Sequence, residues 1–265
     1  ISCNRILSNT ACTSDYGIGG GVGLWKCAAT VRRNEIRHNT AGRNGGGIYL
    51  HDSGGTILAE NLIISNTASR SPTVSGTGGG LYAEYCDPIT LTNNVVAQNH
   101  ANDAGGLYIS GGSVAELTNN TFADNNVGPG REGIWMSDAV TLTLTNNIIV
   151  GHTVGIMGSS RGVVDAAYTL FYGNDEDLLY GTVTNTHAVI GEPMFVDPTD
   201  WDYHLRWGSA AMDAGDPVGV PPAPPIDMDG DVRPVGPRVD IGADEYLGRR
   251  VYLPIMLRQL RAPGL

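Results

Sequence analysis

The chain is poor in charge and in large aromatic side chains: charged residues make up 16% of its 265 positions, only three are Phe, and the single Lys is Lys26. A compact core filled by aromatics is therefore unavailable, and a narrow aliphatic column has to serve instead. Basic residues are outnumbered by acidic ones, giving a net charge of −11. That balance excludes a nucleic-acid backbone or an anionic bilayer as the main partner. No apolar run reaches the length of a membrane-spanning helix, so no span is expected. Four cysteines (Cys3, Cys12, Cys27, Cys86) fall in the first third at spacings that fit no zinc pattern. Two readings stand side by side: a disulfide from Cys3 to Cys12 or Cys27, which suits an oxidising compartment, or buried free thiols. Cys27 and Cys86 share a position in their repeats but lie two repeats apart, too far for a direct bond. The first residues, Ile1-Ser2-Cys3-Asn4, begin inside a repeat with no signal peptide, as expected of a processed or truncated chain.

What is present in quantity is Gly, at 37 residues, and a repeat. Asn34-x-Ile36-x-x-Asn39-x-Ala41 leads to Gly45-Gly46-Gly47-Ile48-Tyr49-Leu50, and the same order returns from Asn4, Asn61, Asn94 and Asn120, with a shortened form at Asn147. Intervals of 26 to 33 residues between these Asn positions signal a solenoid. Apolar residues alternate with a period of two and no window holds a helical period, so each repeat reads as about three short strands with Gly, Asn and Ser corners. The expected fold is all-β: a right-handed parallel β-helix over 1–190, a loop-rich C-terminal cap over 191–246, and a short tail strand within 247–265. Six coils over the first 160 or so residues would stack to roughly 30 Å.

Coil-on-coil stacking aligns equivalent residues. Asn4, Asn34, Asn61, Asn94, Asn120 and Asn147 should form a ladder of amide hydrogen bonds. After each Gly run, Val22, Ile48, Leu81, Leu107 and Ile134 should point inward, as should Leu24, Leu50, Ala83, Ile109 and Met136. Alternation then sends Tyr49, Tyr82, Tyr108 and Trp135 outward as one stripe, beside a second outward column of Trp25, His51, Glu84, Ser110 and Ser137. Such a stripe has two readings. Flat rings with polar neighbours suit stacking on sugar rings, which makes Tyr49, Tyr82, Tyr108 and Trp135 glycan-binding candidates; alternatively the rings stack on one another and stabilise the sheet. Farther on, Tyr168 is expected at the ladder position of one more coil, and Asp175-Glu176-Asp177 as a solvated corner.

For catalysis the candidates are His51, Asp52 and Glu84 on adjacent coils, with Lys26 nearby; the other outward acids, including Glu35 and Glu60, read as a solvated face. Asp227-x-Asp229-x-Asp231 with Gly230 places three carboxylates around a turn, as the first half of a calcium loop does, although Arg238 stands where an EF-hand has its closing Glu. Asp240, Asp244 or Glu245 would have to complete a structural Ca²⁺ site through space. The alternative is a polar turn in which Asp side chains accept backbone N–H groups.

The stretch Gly208–Tyr246 differs in kind. Gly208-Ser209-Ala210-Ala211-Met212-Asp213-Ala214-Gly215-Asp216, then Asp227-Met228-Asp229-Gly230-Asp231, Arg233-Pro234, and Asp240-Ile241-Gly242-Ala243-Asp244-Glu245-Tyr246 resemble, in that order, the C-terminal part of secreted bacterial parallel β-helix proteins of the choice-of-anchor Q group. The resemblance implies export and attachment to the bacterial cell surface, and brings no agreed enzymatic activity. It favours a structural or adhesive role over an enzyme. A glycan-binding module and a β-helix polysaccharide lyase or glycoside hydrolase remain the alternatives. The apolar segment Val251–Leu257 and an uncovered first coil would also permit end-to-end assembly into a homopolymer.

Overall fold

The computed structural model describes residues 1–12, 17–69, 75–125, 132–217 and 225–248. It is an all-β solenoid of parallel strands in which each coil contributes one strand to each of three sheets. The first sheet holds seven strands, from Val22–Trp25 through Ile48–His51, Leu81–Glu84, Leu107–Ser110, Glu132–Met136 and Val154–Met157 to Glu176–Leu179. The second also holds seven, from Thr30–Arg32 to Thr182–Thr186, and the third holds eight, from Arg5–Leu7 to Val189–Ile190. The last strand of the third sheet ends at Ile190. The only helix among the described residues is a 3-10 turn, Pro198–Asp200.

Period-two alternation builds the interior. The ten residues expected to point inward from the first sheet are all buried, and with Leu58, Leu91, Leu117, Leu142 and Leu144 of the second sheet and Ile36, Ile63, Val96, Phe122 and Ile149 of the third they form one aliphatic column. Corners are tight: Gly21, Gly47, Gly80 and Gly106 leave no room for a Cβ, which would lie 2.2 to 2.9 Å from a backbone carbonyl oxygen of the next coil, well inside van der Waals contact.

Asn side chains at the matching repeat position are joined by amide hydrogen bonds from coil to coil. Asn4 Nδ2 donates to Asn34 Oδ1 at 3.0 Å, Asn34 to Asn61 at 3.0 Å, Asn61 to Asn94 at 2.9 Å, Asn94 to Asn120 at 3.0 Å and Asn120 to Asn147 at 3.1 Å. The side-chain oxygen of each Asn from Asn34 to Asn147 also accepts the backbone N–H of the Asn one coil earlier, as Asn94 does from Asn61 at 3.0 Å. A second ladder runs in parallel through Asn9, Asn39, Asn66, Asn99 and Asn125. It continues through His152, whose Nε2 lies 3.3 Å from Asn125 Nδ2, to Asn174. Buried amides thus satisfy the corner backbone that strand pairing leaves over.

Two local expectations are corrected. Leu170 pairs with Ile148, so Thr169, buried, stands at the first ladder's position and Tyr168 falls one residue earlier, where it stacks on His187 at 4.6 Å. Glu176 and Asp177 open a strand of the first sheet rather than a free corner, because parallel pairing of Glu176–Leu179 with Val154–Met157 outweighs their polarity, and both side chains stay exposed.

The segment after Ile190 does not sit over the end of the helix. It turns back and lies along the outer face of the third sheet. Trp201 packs against His38 and under the Arg37 guanidinium, at 4.5 Å. Gln98 donates to Pro198 O at 2.6 Å, Tyr203 Oη meets Asp124 Oδ2 at 3.2 Å, and Asn119 Nδ2 donates to Asp240 O at 2.9 Å. The reason is the composition of that face. Ile64, Val95, Ala97, Ala123, Ile148 and Leu170 point outward there, and Phe195, Tyr203, Leu205, Ala211, Ile241 and Ala243 cover them in a second core. Strands apolar on both faces need covers on both sides.

Candidate functional site

Two surfaces gather chemistry-bearing side chains. The first lies on the outer face of the first sheet. Register there aligns Gly23, Tyr49, Tyr82, Tyr108, Trp135 and Met157 as the alternation requires. In-register coils set equivalent rings one strand spacing apart, so they stack: Tyr49 on Tyr82 at 5.1 Å and 6° between planes, Tyr82 on Tyr108 at 5.2 Å and 10°. Tyr49 and Tyr82 are consequently 6% and 7% exposed, so the first half of the expected stripe is closed, while Tyr108 and Trp135 stay half-buried. Burial pushes the phenol pKa of both up, and Glu84 adds to the effect.

The open part of this surface is the neighbouring column. Trp25, 55% exposed, stacks on His51 at 4.3 Å. His51 Nδ1 stands 3.1 Å from Glu84 Oε2, and the ring of Tyr85, also 55% exposed, meets His51 edge-on at 5.5 Å. Of the three catalytic candidates, His51 and Glu84 are thus together. Asp52 is exposed in a left-handed corner (φ 51°), where Lys26 N–H bonds to the carbonyl of His51 beside it. Ser110, next in the column after Glu84, is buried with its hydroxyl unbonded.

The second gathering is where the returning segment meets itself. Strand Asp202–Leu205 alternates so that Tyr203 and Leu205 enter the second core while Asp202 and His204 share the opposite side. His204 lies between two carboxylates, with Nδ1 2.5 Å from Asp202 Oδ1 and Nε2 2.6 Å from Asp229 Oδ2. The hydrogen bond to Asp229 is the main cause that pushes its pKa up to about 10. Around it opens a cavity of about 580 Å³, lined by Met194, Arg206, Trp207, Asp231, Asp244 and Tyr246 among others.

Of the calcium candidates, Asp227, Asp229 and Asp231 bring one carboxylate oxygen each to within 4.8 Å of one another. Asp227, fully buried, has a second task. Its Oδ1 accepts the N–H groups of Asp229, Gly230 and Asp231, each at 2.9 Å, and its Oδ2 accepts that of Glu245 at 3.1 Å. Asp240 and Glu245 do similar work: Asp240 accepts from Asp213 and Tyr246, Glu245 from Val235 and Asp240. Burial is the main cause that pushes Asp240 up to about 7 and Asp244 up to about 6. Buried Arg233 sits among them, with Nη2 donating to Gly242 O at 2.9 Å.

The sequence reading missed the second Asn ladder, although its residues recur with the first. It also took Glu60 for a solvated acid. Glu60 is buried and holds Arg32 at 2.6 Å and Arg33 at 2.5 Å, while Glu35 pairs with Arg5 at 2.6 Å and with Arg37. The basic residues one coil earlier, at matching positions, were the available signal. Of the four cysteines only Cys86 is buried; Cys3, Cys12 and Cys27 are exposed, because they sit at outward corner positions of the first coils, so the expectation of buried thiols holds for Cys86 alone. The tail segment Val251–Leu257 lies outside the described residues, and so does its part in any end-to-end contact. No described helix is long and apolar enough to cross a membrane.

The sequence profile of the family described as "Periplasmic copper-binding protein (NosD)" matches residues 2–154, more than half of the chain. No curated protein and no solved structure matches it. The match falls on the repeats; the resemblance to the choice-of-anchor Q group rests on the separate stretch from Gly208 to Tyr246. Copper sites draw on imidazole and sulfur ligands. Among the described residues, the groups of three His, Cys, Asp or Glu side chains with ligand atoms in reach of one another lie at 204–244, and none lies within 2–154. The described repeat residues therefore do not fit a copper centre built from such a group.

Proposed function

The chain belongs to the NosD family of parallel β-helix repeat proteins, and from that premise we propose that it works outside the cytoplasm, in the periplasm or beyond it, as a rigid scaffold that binds carbohydrate. The observation that carries this reading is the Trp25–His51–Glu84–Tyr85 corner. Two half-exposed aromatic rings flank an imidazole that a carboxylate orients. A sugar ring offers an apolar C–H face and a rim of hydroxyls. Trp25 and Tyr85 offer flat apolar surface for the face, while His51 and Glu84 offer a donor and an acceptor for the rim. The stacked tyrosines beside them stiffen the platform, so little conformational entropy is lost on binding.

Adhesion to a surface polysaccharide follows from such a corner and needs no separate site. The lyase or glycosidase alternative would route proton transfer through His51 and Glu84, and it stands or falls on a substrate screen that looks for new reducing ends or unsaturated sugars.

The test is affinity electrophoresis through a panel of soluble acidic and neutral polysaccharides. At least one should retard the chain, and Trp25→Ala or Tyr85→Ala should weaken the retardation tenfold or more. A panel without any retardation would end the proposal.

A further inference from the structure

We propose that His204, Asp229 and Asp244 form a binding site for a divalent transition-metal ion, with Asp202 orienting the histidine. The site is separate from the carbohydrate corner and does not depend on it.

The ligand atoms of these three side chains lie within 4.8 Å of one another. Three elements bring them there. His204 projects from strand Asp202–Leu205 on the side opposite the core. Asp229 is set by the turn that Asp227 holds through three backbone N–H bonds, with Gly230 at φ 93° completing it. Asp244 is fixed because its Oδ2 accepts the N–H of Leu205 at 2.7 Å.

Two observations point to a cation rather than a closed network. Asp244 is 6% exposed and lines the cavity, and among the described residues no hydrogen-bond donor meets its other oxygen. That oxygen opens on the cavity, where it is placed to take a cation as its partner. The histidine is also arranged as metal-bound imidazoles are. Asp202 Oδ1 lies 2.5 Å from Nδ1 and holds that proton in place, so the proton that Nε2 shares with Asp229 at 2.6 Å is the one a metal ion would displace.

Charge and donor type choose the ion. Once the Nε2 proton is displaced, neutral imidazole with two carboxylates carries two negative charges, which a divalent cation balances. One nitrogen and two oxygens from three side chains, with an open side toward the cavity, suit Zn²⁺ or Co²⁺. Ca²⁺, which takes six to eight oxygens, and Mg²⁺, which keeps its waters, gain little from an imidazole.

The experiment titrates the full, metal-stripped chain with Co²⁺, read by its visible absorption, and then displaces the cobalt with Zn²⁺. We expect saturation at one ion per chain, with proton release because the metal displaces the proton shared by His204 and Asp229. His204→Ala and Asp244→Asn should each weaken binding at least tenfold, and Asp202→Asn about tenfold, whereas Asp165→Asn on the second sheet should leave it unchanged. If His204→Ala fails to fold by circular dichroism, His204→Gln, which keeps a hydrogen-bonding side chain of similar reach, takes its place. Absence of saturable Co²⁺ or Zn²⁺ binding would overturn the site, leaving an imidazolium clamped by two carboxylates. Binding unchanged by the His204 substitution, including equally tight Ca²⁺ binding, would overturn it as well.

Discussion

His152 Nε2 lies 3.3 Å from the Nδ2 of Asn125, inside a ladder otherwise made of asparagines. Its Nδ1 lies 3.2 Å from Asn174 Oδ1, an oxygen that also accepts the His152 backbone N–H. A neutral imidazole with its proton on Nδ1 donates to Asn174 and accepts from Asn125, so it reproduces what an Asn amide does at the other rungs. A charged imidazole would turn an N–H toward the amide N–H of Asn125. Burial pushes its pKa down to about 4.

Acid should therefore weaken the fold through this residue. The folded state keeps His152 neutral while the unfolded chain takes up a proton below about 6.5. The unfolded state then binds more protons, so stability falls as pH drops from about 6.5 toward about 4, by at most ~3 kcal/mol. His152→Asn should remove this loss. Urea unfolding at pH 7.5 and 4.5 on both chains isolates the effect as a difference of differences. Equal pH dependence in the two would refute it.

Breaking a rung in the middle of the second ladder should be expensive. Asn99 accepts the backbone and side-chain N–H groups of Asn66 and donates to Ile63 O and Asn125 Oδ1. Asn99→Ala leaves buried partners unbonded at about 1–3 kcal/mol each, and a total loss of about 3 kcal/mol by chemical denaturation is expected. Asn9→Ala, at the exposed end, should cost clearly less.

The tyrosine stack and the sugar corner should separate by mutation. Tyr82→Phe keeps the stack and should change stability by less than about 1 kcal/mol. Tyr82→Ala removes the central ring and should cost about 3 kcal/mol, with loss of near-ultraviolet dichroism. Neither should alter polysaccharide retention as much as Trp25→Ala. Retention that follows Tyr82 and ignores Trp25 would place binding on the stripe instead.

The returning segment should be needed to keep the third sheet covered. A chain ending at Ile190 exposes Ile64, Val95, Ile148 and Leu170 and should associate or aggregate while keeping β-type dichroism. Light scattering after size exclusion decides this; a monodisperse monomer would contradict it. Within the full chain, Ile241→Ala should cost about 2–5 kcal/mol.

Much of the solenoid was legible because stacking converts sequence position into space. A residue's offset from its repeat's Asn determines its column, so the inward apolar residues, the Tyr49–Trp135 column and the first Asn ladder could all be read from spacing. The same logic contained the second ladder and the Arg33–Glu60 pairing, which a comparison of adjacent repeats would have exposed. Where repeats shortened, as between Asn147 and Thr169, counting slipped by one residue and misplaced Tyr168.

The sequence by itself determined the coil, because a period of two and a repeat of about thirty residues leave parallel stacking as the way to bury one apolar face per strand. It also determined which side chains share a column. Only the tertiary structure decided which columns remain open. Ring stacking buries Tyr49 and Tyr82 while leaving Trp25 and Tyr85 exposed. Only the structure, too, brought His204, Asp229 and Asp244 together, since they come from parts of a segment with no repeat to index them. Their meeting depends on how that segment folds against the apolar outer face of the third sheet, a long-range packing event that no local spacing encodes.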